Sequence, residues 1–434
     1  MNTSLEIDKR SLLEQKQYQE SRLVELLQYL NTHSPFYQQK FKNENIQLAK
    51  ICLLEDLQLL STTSKEDLQL YQEKFLCVHK DQVSEYASTS GTLGSPVSIA
   101  LTANDLNRLA LNEKLSFQLM GVTEKDIVQL MLTLDRQFMA GVAYYFGAKE
   151  IGAAVVRTGP GLPSMQVETA QRLGTTSAVA VPSFLLKLIE YAKTIQLDLK
   201  QLHITKVLCI GESVRESDFS LSTLGKHILD QWPIKLFSTY ASTEMQTAFT
   251  ECEHGVGGHH QPELIILEIL DDAGNQLPDG QFGEVTITTL GVEAMPLLRY
   301  RTGDICCVYS EPCACGRTTK RLSPVKGRKQ QMIKYKGTTL YPPAIFDMLN
   351  HFTEIKEYVI EVYTGELGTD ELILHICTHL PVDDIEKRLK PFLQSRLRVV
   401  PEINYCSTAE IHEMQFAQAS RKPIRFKDQR INNE

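Results

Sequence analysis

The strongest constraint on the fold is a regular alternation of two kinds of segment between residues 104 and 211. Stretches with apolar residues at helical spacing alternate with short runs of β-branched and apolar residues. The helical stretches are 104–120, 165–174 and 182–195, and the strand-like runs are 126–132, 153–158, 177–181 and 204–211. This alternation is typical of βαβ units, so it predicts an α/β fold with a parallel sheet.

The segments on either side of this region predict further parts of the fold. Residues 9–42 read as a surface helix that breaks before Pro35, because a residue that precedes proline resists helical geometry. Residues 263–307 carry strand-like runs separated by turn signals, which predicts a small β subdomain. A different mixture of strands and helices follows Arg328, so we place a domain boundary there and expect a separate α+β domain after it.

Length and charge narrow the range of functions. A chain of 434 residues is long enough for a large domain and a smaller one. Its 45 Lys and Arg residues against 53 Asp and Glu residues give a formal charge of -8, so we expect no nucleic-acid partner. The charged opening segment lacks the pattern of a secretory signal, and the apolar runs stop short of the roughly 20 residues that a membrane span needs. We therefore expect a cytoplasmic protein without a membrane anchor.

Three polar loops are candidates for binding chemistry. Residues 86–97 combine hydroxyl side chains with two glycines, and such a loop exposes N–H and O–H donors that can bind phosphate. The segment from Tyr240 to Glu244 joins hydroxyls to one carboxylate, and the segment from Tyr300 to Asp304 is predicted as a turn with an arginine and an aspartate. Taken singly, each loop has an ordinary structural explanation as a turn.

The order of these loops along the chain resembles that of the adenylate-forming superfamily of acyl-CoA synthetases. Within the superfamily, the chain resembles the phenylacetate–CoA ligase family, and the resemblance covers nearly its full length. The segments that carry it are HSPFYQQKF (33–41), LSTTSKEDLQLY (60–71), YASTSGTLGSPV (86–97), VPSFLLKLIEYA (181–192), CIGES (209–213), YASTE (240–244), EAMPLLRYRTGD (293–304), CACGRTTKRLSPVKGR (313–328) and KPIRFKDQR (422–430).

The resemblance implies both a domain arrangement and a reaction. Residues 1–328 correspond to a large N-terminal adenylation domain with parallel-sheet α/β units and a small β subdomain, and residues 329–434 to a smaller, mobile C-terminal α+β domain. The reaction is ATP-dependent activation of an aryl carboxylic acid as acyl-AMP, followed by transfer to coenzyme A with release of AMP. Mg²⁺ is implied as the ion that accompanies ATP, and the resemblance leaves a homodimer open.

The resemblance also assigns roles residue by residue. Lys422, Glu244 and Thr92 are implied to act in catalysis. Lys422 matches a mobile lysine that meets the substrate carboxylate as charge develops, and Glu244 matches the ligand of Mg²⁺, an ion that prefers oxygen. The implied nucleotide contacts are Ser90, Gly91 and Thr92 at the phosphates, Gly211, Glu212 and Ser213 against adenine, Tyr240, Ala241, Ser242 and Thr243 in the segment that stacks on the base, Asp304 at the ribose hydroxyls, and Arg328 close by.

The cysteines suggest a second site. Cys313 and Cys315 form a CxC pair, which is tighter than the usual CxxC knuckle. Members of the family with matching segments carry a structural zinc, so the resemblance implies Zn²⁺ bound without an open catalytic position by Cys252, His259, Cys313 and Cys315. His254 and His260 are rival ligands, and metal-free thiols are the alternative.

Two positions depart from the family pattern. The usual lysine of the phosphate loop is Ser95, and the usual aspartate of the hinge between the domains is Gln330. The first change removes a point charge near the phosphates, so we expect slower adenylation rather than none. The second leaves the hinge plausible, because a hinge needs backbone freedom more than a particular side chain.

The residues leave the substrate and the acceptor open. Asp135 and Arg136 stand where small residues are common in the pocket segment of the family, which would suit a hydroxylated or otherwise polar acid instead of phenylacetate. The aromatic residues at 138 and 144–146 are predicted to be core more than pocket lining. A carrier protein's phosphopantetheine arm is a rival acceptor, and a protein that binds nucleotide without turnover is the alternative from another functional class.

Overall fold

The computed structural model describes residues 7–89, 97–335, 338–365, 369–397, 399–416 and 423–430. The chain divides into two compact units, Met1–Val325 and Lys326–Glu434. Each unit has its own hydrophobic core. The division falls just ahead of Arg328, after which the sequence placed the boundary.

The first unit alternates helices and strands over most of its length. Its helices are α1 (Leu12–His33), α2 (Pro35–Asn43), α3 (Lys65–Tyr71), α4 (Ala103–Leu119), α5 (Met139–Ile151), α6 (Pro163–Leu173), α7 (Pro182–Thr194) and α8 (Thr223–Leu229). Short 3-10 helices lie at Ile7–Lys9, Leu48–Lys50, Leu54–Leu59, Gln72–Phe75, Lys80–Gln82 and Leu199–Gln201. Its strands are β1 (Glu85–Ser88), β2 (Ser98–Leu101), β3 (Ile127–Leu130), β4 (Ala154–Arg157), β5 (Ser177–Ala180), β6 (Lys206–Cys209), β7 (Lys235–Ser242), β8 (Thr247–Thr250), β9 (Gly258–His259), β10 (Ile265–Leu270), β11 (Gly283–Thr289), β12 (Tyr300–Cys306), β13 (Val308–Tyr309) and β14 (Arg321–Leu322).

The predicted break before Pro35 is confirmed, and it separates two helices. Ser11 and Glu14 form a capping box that begins α1. Ser34 follows the end of α1, and its hydroxyl accepts the Tyr37 N–H at 3.4 Å as the N-cap of α2. Proline at the first position of α2 lacks only an N–H that would have no helical partner. The apolar face of α1 is buried through Leu23, Leu26, Leu27 and Leu30.

The largest sheet has the strand order β13-β14-β9-β8-β7-β6-β5-β3-β4. The part from β4 to β7 is parallel, which confirms the prediction from the helix and strand alternation. Glycines in left-handed conformation end α5 and α6, with φ of 89° at Gly152 and 62° at Gly174. From β7 onward the sheet continues through antiparallel pairs with β8, β9 and β14. The parallel and antiparallel halves therefore meet at β7.

Helix α5, which was not predicted from the sequence, packs closely against α4. A Cβ added at Gly147 would lie 2.4 Å from the Cβ of Glu113, and one added at Gly141 would lie 2.3 Å from the Thr133 carbonyl oxygen. Real Cβ atoms do not come so close to other atoms. Glycine at these two positions therefore permits the short distance between the helix and its neighbours.

The small β subdomain is confirmed as a sheet in the order β10-β11-β12. Two details differ from the prediction. The segment from Tyr300 to Asp304 lies within β12 instead of forming a turn. Residues 308–309 leave this sheet and pair with β14 at the edge of the large one. The apolar segment 305–309 is thus divided between two sheets.

The second unit is an α+β fold, as predicted. Its helices are α9 (Pro342–Asn350), α10 (Val382–Leu397) and α11 (Thr408–Phe416), and a 3-10 helix lies at Lys329–Gln331. Its strands are β15 (Gly327–Arg328), β16 (Ile333–Tyr335), β17 (Thr338–Leu340), β18 (Ile355–Thr364), β19 (Asp370–Thr378), β20 (Glu402–Tyr405) and β21 (Phe426–Asp428). The main sheet has the order β20-β19-β18-β21. Among the helices of the described residues, none has the length and hydrophobicity that crossing a bilayer requires.

Candidate active site and metal centre

The centre of the candidate active site is a hydrogen bond between Tyr240 and Asp304. Tyr240 lies on β7 of the large sheet, and Asp304 lies on β12 of the small one. The Tyr240 hydroxyl donates to Asp304 Oδ2 at 2.8 Å. Burial and the charge of Asp304 raise the pKa of Tyr240 well above its usual value, so the phenol stays protonated and keeps donating. The structure thus brings together two residues that the sequence assigned to the base and the ribose of one nucleotide.

Asp304 lies within a bulge in β12. Glu284 of β11 pairs with Ile305, but Thr286, two residues later, pairs with Arg301, so the residues between them have no one-to-one partners. Gly303 has φ of 79° and donates its N–H to Glu284 Oε1 at 3.1 Å. The bulge therefore redirects the chain just before the carboxylate that is predicted to accept the ribose hydroxyls.

Glu284 holds this bulge and was missed by the sequence analysis. Its Oε2 accepts a hydrogen bond from Arg301 Nε at 2.8 Å, while its other oxygen accepts from Gly303. Arg301 Nη2 also donates to the Asp271 carbonyl oxygen at 2.9 Å. The one available signal was a carboxylate within the buried strand 283–289, since a buried charge is usually paired.

Two N-terminal segments form hydrogen bonds with residues 298–301, where β12 begins. The Thr63 N–H donates to the Arg299 carbonyl oxygen at 2.9 Å, and the Arg301 N–H donates to the Thr63 carbonyl oxygen at 2.9 Å. The Leu298 N–H donates to the Tyr37 hydroxyl at 2.9 Å, and the Thr63 hydroxyl donates to the Leu298 carbonyl oxygen at 2.8 Å. Segments 33–41 and 60–71, far from the site in sequence, therefore fix the backbone that leads to Asp304.

Glu244 lies in a turn that follows β7. The Met245 N–H donates to the Ser242 hydroxyl at 3.3 Å, and the Gln246 N–H donates to the Ser242 carbonyl oxygen at 3.3 Å. Gln246 has φ of 50°, which is uncommon for a residue with a side chain. Ala241 is exposed, while Ser242, Thr243 and Glu244 are half-buried. The turn thus presents the Glu244 carboxylate at the end of the strand that carries Tyr240.

Arg108 of α4 holds the turn at Glu244 through hydrogen bonds to the residues that follow it. The sequence analysis also missed this residue. Its guanidinium donates to four acceptors, which are the carbonyl oxygens of Gln246 at 2.7 Å, Leu290 at 2.7 Å and Leu264 at 2.5 Å and the hydroxyl of Thr247 at 3.0 Å. Burial lowers the pKa of Arg108 to about 10, so it remains charged at neutral pH. The signal in the sequence was an arginine on the buried side of an amphipathic helix.

The segment predicted to lie against adenine follows β6. Gly211 has φ of 76°, a conformation that glycine adopts without strain. The Glu212 carboxylate accepts the Ser183 backbone N–H at 2.8 Å and its hydroxyl at 2.9 Å, at the beginning of α7. The Ser213 hydroxyl donates to the Arg215 carbonyl oxygen at 2.7 Å. The Glu212 side chain is thus engaged with a helix N-terminus, which its charge stabilises.

The predicted metal ligands come together in one cluster. Their side-chain donor atoms all lie within 4.8 Å of one another, and the residues are Cys252, His259, Cys313 and Cys315. Cys252 Sγ lies 3.6 Å from Cys313 Sγ, and Cys315 Sγ lies 3.6 Å from His259 Nε2. A tetrahedral zinc with Zn–S bonds of about 2.3 Å would separate its ligands by about 3.7 Å. The residues present therefore fit a closed zinc site.

The surroundings of His259 suit a metal ligand. Its Nδ1 lies 3.0 Å from the Thr319 hydroxyl, so an Nδ1–H donated to this oxygen leaves Nε2 free to bind a metal. Burial, together with the charges of Arg317 and Arg321, lowers the pKa of His259 to about 3. The imidazole is thus neutral at physiological pH. Arg317 is held in turn by Asp8, with Nε to Oδ2 at 2.7 Å.

The rival ligands His254 and His260 are not in this cluster. His254 is exposed. His260 Nε2 lies 2.6 Å from the Ile265 carbonyl oxygen, and its ring stacks on Phe249. Burial lowers the pKa of His260 to about 4, which makes it a neutral core histidine. The structure therefore selects His259 from the three histidines that the sequence offered.

Several predicted residues cannot be placed in this geometry. Ser90, Gly91, Thr92 and Lys422 lie outside the described residues, as does Ser95. The strands β1 and β2, which flank the hydroxyl loop, form an antiparallel pair with Ser88 opposite Ser98. Arg328 belongs to the second unit, where its side chain is exposed.

The pocket segment differs from the expectation in one respect. Asp135 and Arg136 are exposed and pair with each other at 3.9 Å, so they do not supply a buried polar wall for an acid substrate. Tyr144 is buried in the core between α4, α5 and the sheet, as predicted for an aromatic residue of this segment. Phe138, Tyr145 and Phe146 are half-buried.

Comparison with known proteins agrees with this geometry. Residues 12–294 match the model of the AMP-binding enzyme family. The chain is 28% identical over 364 residues to a phenylacetate-coenzyme A ligase of Thermus thermophilus, covering 82% of this chain and 80% of that protein. It is 26% identical over 376 residues to the phenylacetate-coenzyme A ligase of Escherichia coli, covering 83% of this chain and 82% of that protein.

Solved structures show the same fold. 2-Hydroxyisobutyryl-CoA ligase in complex with 2-HIB-AMP matches with a TM-score of 0.85 at 22% identity, over 97% of this chain and 91% of that one. An anthranilate CoA ligase in complex with anthranoyl-AMP matches with a TM-score of 0.59 at 17% identity, over 76% of this chain and 65% of that one. The fold described above is thus that of adenylate-forming CoA ligases.

Proposed function

Because the chain belongs to the AMP-binding enzyme family and, within it, to the phenylacetate–CoA ligases, we propose that it is an ATP-dependent acid–CoA ligase working through an acyl adenylate. The observation that carries the proposal is the Tyr240–Asp304 pair, with the Glu244 turn directly after the strand that carries Tyr240. The Tyr240 phenol fixes the buried Asp304 carboxylate, and a carboxylate is a strong acceptor for ribose hydroxyls.

The chemistry requires positioning and charge stabilisation more than a reactive protein group. A carboxylate is a poor electrophile, so its oxygen first attacks the α-phosphorus of ATP and pyrophosphate leaves. The thiol of coenzyme A then attacks the acyl carbon, and AMP leaves with the oxygen that came from the acid. Both leaving groups depart as anions, so groups that hold ATP and AMP firmly favour both steps.

The proposed roles follow from the site. Asp304 accepts the ribose hydroxyls, Tyr240 stacks on the base while its hydroxyl holds Asp304, and the backbone at 211–213 lies against the adenine. Glu244 supplies an oxygen ligand for Mg²⁺, which would neutralise phosphate charge. The remaining proposed contacts are Ser90, Gly91 and Thr92 at the phosphates, Lys422 at the reacting carboxylate and Arg328 near the nucleotide.

An aryl acid is the proposed substrate class, on the strength of the phenylacetate-coenzyme A ligases that the chain matches along most of its length. Coenzyme A is the proposed acceptor, since the matched relatives and the matched structures are named as coenzyme A ligases. We also propose the cytoplasm, where ATP and coenzyme A are available, as its location.

The metal centre is proposed to be structural. Its three cysteines and one histidine would occupy all four positions of a tetrahedral Zn²⁺, which leaves none for water or substrate. Bound zinc would favour the thiolate form of the three cysteines and connect β9 to the segments around 252 and 313–315. The chain's own contribution is to hold the neutral His259 ring through Thr319.

Pyrophosphate release tests the proposal. Purified protein with Mg²⁺ and ATP is assayed against a panel of aryl and short aliphatic acids, with and without coenzyme A. We expect release for an aryl acid, and a loss of about 100-fold in Lys422→Ala, because one positioned cation is removed from the transition state. The matched control is Lys187→Ala, an exposed lysine on α7. Nucleotide binding without release for any acid would favour the non-turnover alternative.

A further inference from the structure

Two cysteines of the second unit lie at matching positions of neighbouring strands. Strands β19 and β20 are parallel, and Ile376 lies opposite Tyr405. The next residues in this register are Cys377 and Cys406, and the ladder continues there because the Cys406 N–H donates to the Ile376 carbonyl oxygen at 2.9 Å. Matched residues of parallel strands point to the same face of a sheet. Both thiols therefore project from one face.

The spacing of the strands suits a disulfide between these two residues. Neighbouring strands lie about 4.8 Å apart, and a disulfide joins Cα atoms that are about 4.4 to 6.8 Å apart. Both residues belong to one small apolar cluster with Val359, Ile411 and Met414. Both are free thiols, and Cys377 Sγ lies 3.4 Å from the Thr408 hydroxyl. Rotation of the two side chains can bring the sulfur atoms together without separating the strands.

A base lies next to the more accessible of the two thiols. His375 Nδ1 is 4.0 Å from Cys406 Sγ, and His375 Nε2 is 2.9 Å from Glu361 Oε2. If Nε2 carries the proton that the carboxylate accepts, Nδ1 is left as an acceptor for the thiol proton. Burial and the charge of Glu410 raise the pKa of Cys406, so the thiol is protonated at neutral pH and needs such a base to react.

A metal site does not explain this grouping. Among the described residues, the only set of three or more ligand atoms close enough to share an ion is the one around Cys252 in the first unit. Cys406 is half-buried, so a small molecule can reach it, while Cys377 is buried beside it. An accessible thiol with a base, next to a second buried thiol, is an arrangement suited to thiol–disulfide exchange.

We propose that Cys377 and Cys406 form a reversible redox dithiol, oxidised by a small-molecule disulfide such as oxidised glutathione. The Cys406 proton passes to His375 Nδ1, and the thiolate attacks one sulfur of the oxidant. A mixed disulfide forms, the S–S bond of the oxidant breaks, and one glutathione thiol leaves. Cys377 then gives up its proton and attacks the Cys406 sulfur, which releases the second glutathione thiol. The two cysteines lose two electrons and two protons, and the oxidant gains them.

The disulfide would fix the beginning of α11 to the end of β19, because Cys406 directly precedes Ser407 and α11. The oxidised form is therefore expected to hold α11 more rigidly on the sheet than the reduced form does. The reaction needs neither ATP nor an acid, so it can be tested whatever the outcome of the ligase assay.

The test uses the full chain loaded with zinc, equilibrated at pH 7.5 in glutathione buffers of increasing oxidised-to-reduced ratio. The protein is quenched in acid, alkylated, digested without reduction and analysed by mass spectrometry. We expect a cross-linked peptide pair that contains Cys377 and Cys406, forms in most of the protein and disappears with dithiothreitol. Glutathione adducts at the exposed Cys52, without the 377–406 pair at any ratio, would overturn the proposal.

Variants separate the steps of the reaction. Cys377→Ser is expected to accumulate a Cys406–glutathione adduct, whereas Cys52→Ser, the matched control, keeps the cross-link. His375→Asn is expected to reach the same extent of cross-linking at least about tenfold more slowly, because the base is lost. An unchanged rate in His375→Asn would show that His375 is not the base for Cys406. An adduct on Cys406 that Cys377 never resolves in the wild-type protein would contradict the pairing.

Discussion

The two candidate sites of the first unit are held in place in different ways. Asp304 is held by protein groups alone, through Tyr240 and through a bulge that Glu284 fixes. Three thiols and an imidazole form the other site, where burial raises the pKa of Cys252 to about 12. Two sulfur atoms that lie 3.6 Å apart gain little from each other, whereas thiolates around a cation gain much. We infer that the position of Asp304 is fixed without a ligand, whereas the metal centre depends on a metal for stability.

The largest expected effect comes from removing a ligand of the metal centre. Cys313→Ser removes one of four ligands, so we expect loss of bound zinc and a decrease of about 4 kcal/mol in the free energy of unfolding. Zinc is measured by mass spectrometry of the purified protein and stability by denaturant titration. Cys52→Ser, which removes an exposed thiol, is the control. Zinc-free wild-type protein with the same stability as zinc-loaded protein would contradict the metal's role.

The second effect concerns the stability cost of a buried acid on α4, the helix that also carries Arg108. Glu113 of α4 is buried, with Oε1 accepting from Asn112 at 3.0 Å and Oε2 without a partner among the described residues. Burial raises the pKa of Glu113 to about 8 from an ordinary 4.5. The unfolded chain therefore ionises first, and stability is lost as the pH rises from 4.5 to 8.

Glu113→Gln keeps a neutral group of similar shape. We expect it to match the wild-type protein near pH 4.5 and to exceed its stability by roughly 3 kcal/mol at pH 8, because the penalty for a protonated buried acid is removed. The measurement is denaturant unfolding across this pH range. Glu73→Gln, at an exposed glutamate, should leave the pH profile unchanged. A variant that is less stable than wild type at every pH would show that the carboxyl makes a stabilising contact.

The third effect is a loss of activity with little change in stability. Asp304→Asn is expected to reduce pyrophosphate release about 100-fold, since charge-assisted hydrogen bonds to two ribose hydroxyls are weakened by about 3 kcal/mol together. The thermal midpoint should move little, because asparagine can still accept from Tyr240. Asp81→Asn, at an exposed aspartate, is the matched control. If Asp304→Asn were as active as the control, Asp304 would not be the residue that binds the ribose hydroxyls.

The smallest effect sharpens the role of Glu284. Glu284→Gln keeps an oxygen for the Gly303 N–H but loses the ion pair with Arg301. We expect the KM for ATP to rise about tenfold with a smaller change in kcat, because the carboxylate of Asp304 is less well placed. The control is Glu25→Gln, an exposed glutamate of α1. A fall in kcat at unchanged KM would mean that Glu284 acts on the chemical step instead.

Local patterns in the sequence were enough to predict much of the fold. Strands β3 to β6 and helices α4, α6 and α7 have clear periodicity or β-branched runs, and the break before Pro35 follows from proline geometry. Helix α5 lacked a signal because it is apolar on several sides and contains two glycines that only its packing explains. The short strands β20 and β21 are defined by pairing across the second sheet, which local sequence does not reveal.

The candidate site was likewise predicted only in part. Tyr240, Asp304 and the four metal ligands were named from motifs, and the structure brings each group together. Arg108 and Glu284 were missed because their partners are distant in sequence, as with Arg108 and Gln246. The prediction of a turn at 300–304 was wrong because glycine marks a bulge as well as a turn. Motifs therefore named the residues that we propose to contact ligands, but not the residues that hold those residues in place.

The most direct test of the central claim follows one oxygen atom. An acid that the enzyme accepts is labelled with ¹⁸O in its carboxylate and incubated with ATP and coenzyme A, and the AMP product is analysed by mass spectrometry. If an acyl adenylate forms, one labelled oxygen remains on AMP when the thiol takes the acyl group. Unlabelled AMP, or label found in inorganic phosphate together with ADP, would contradict the adenylate.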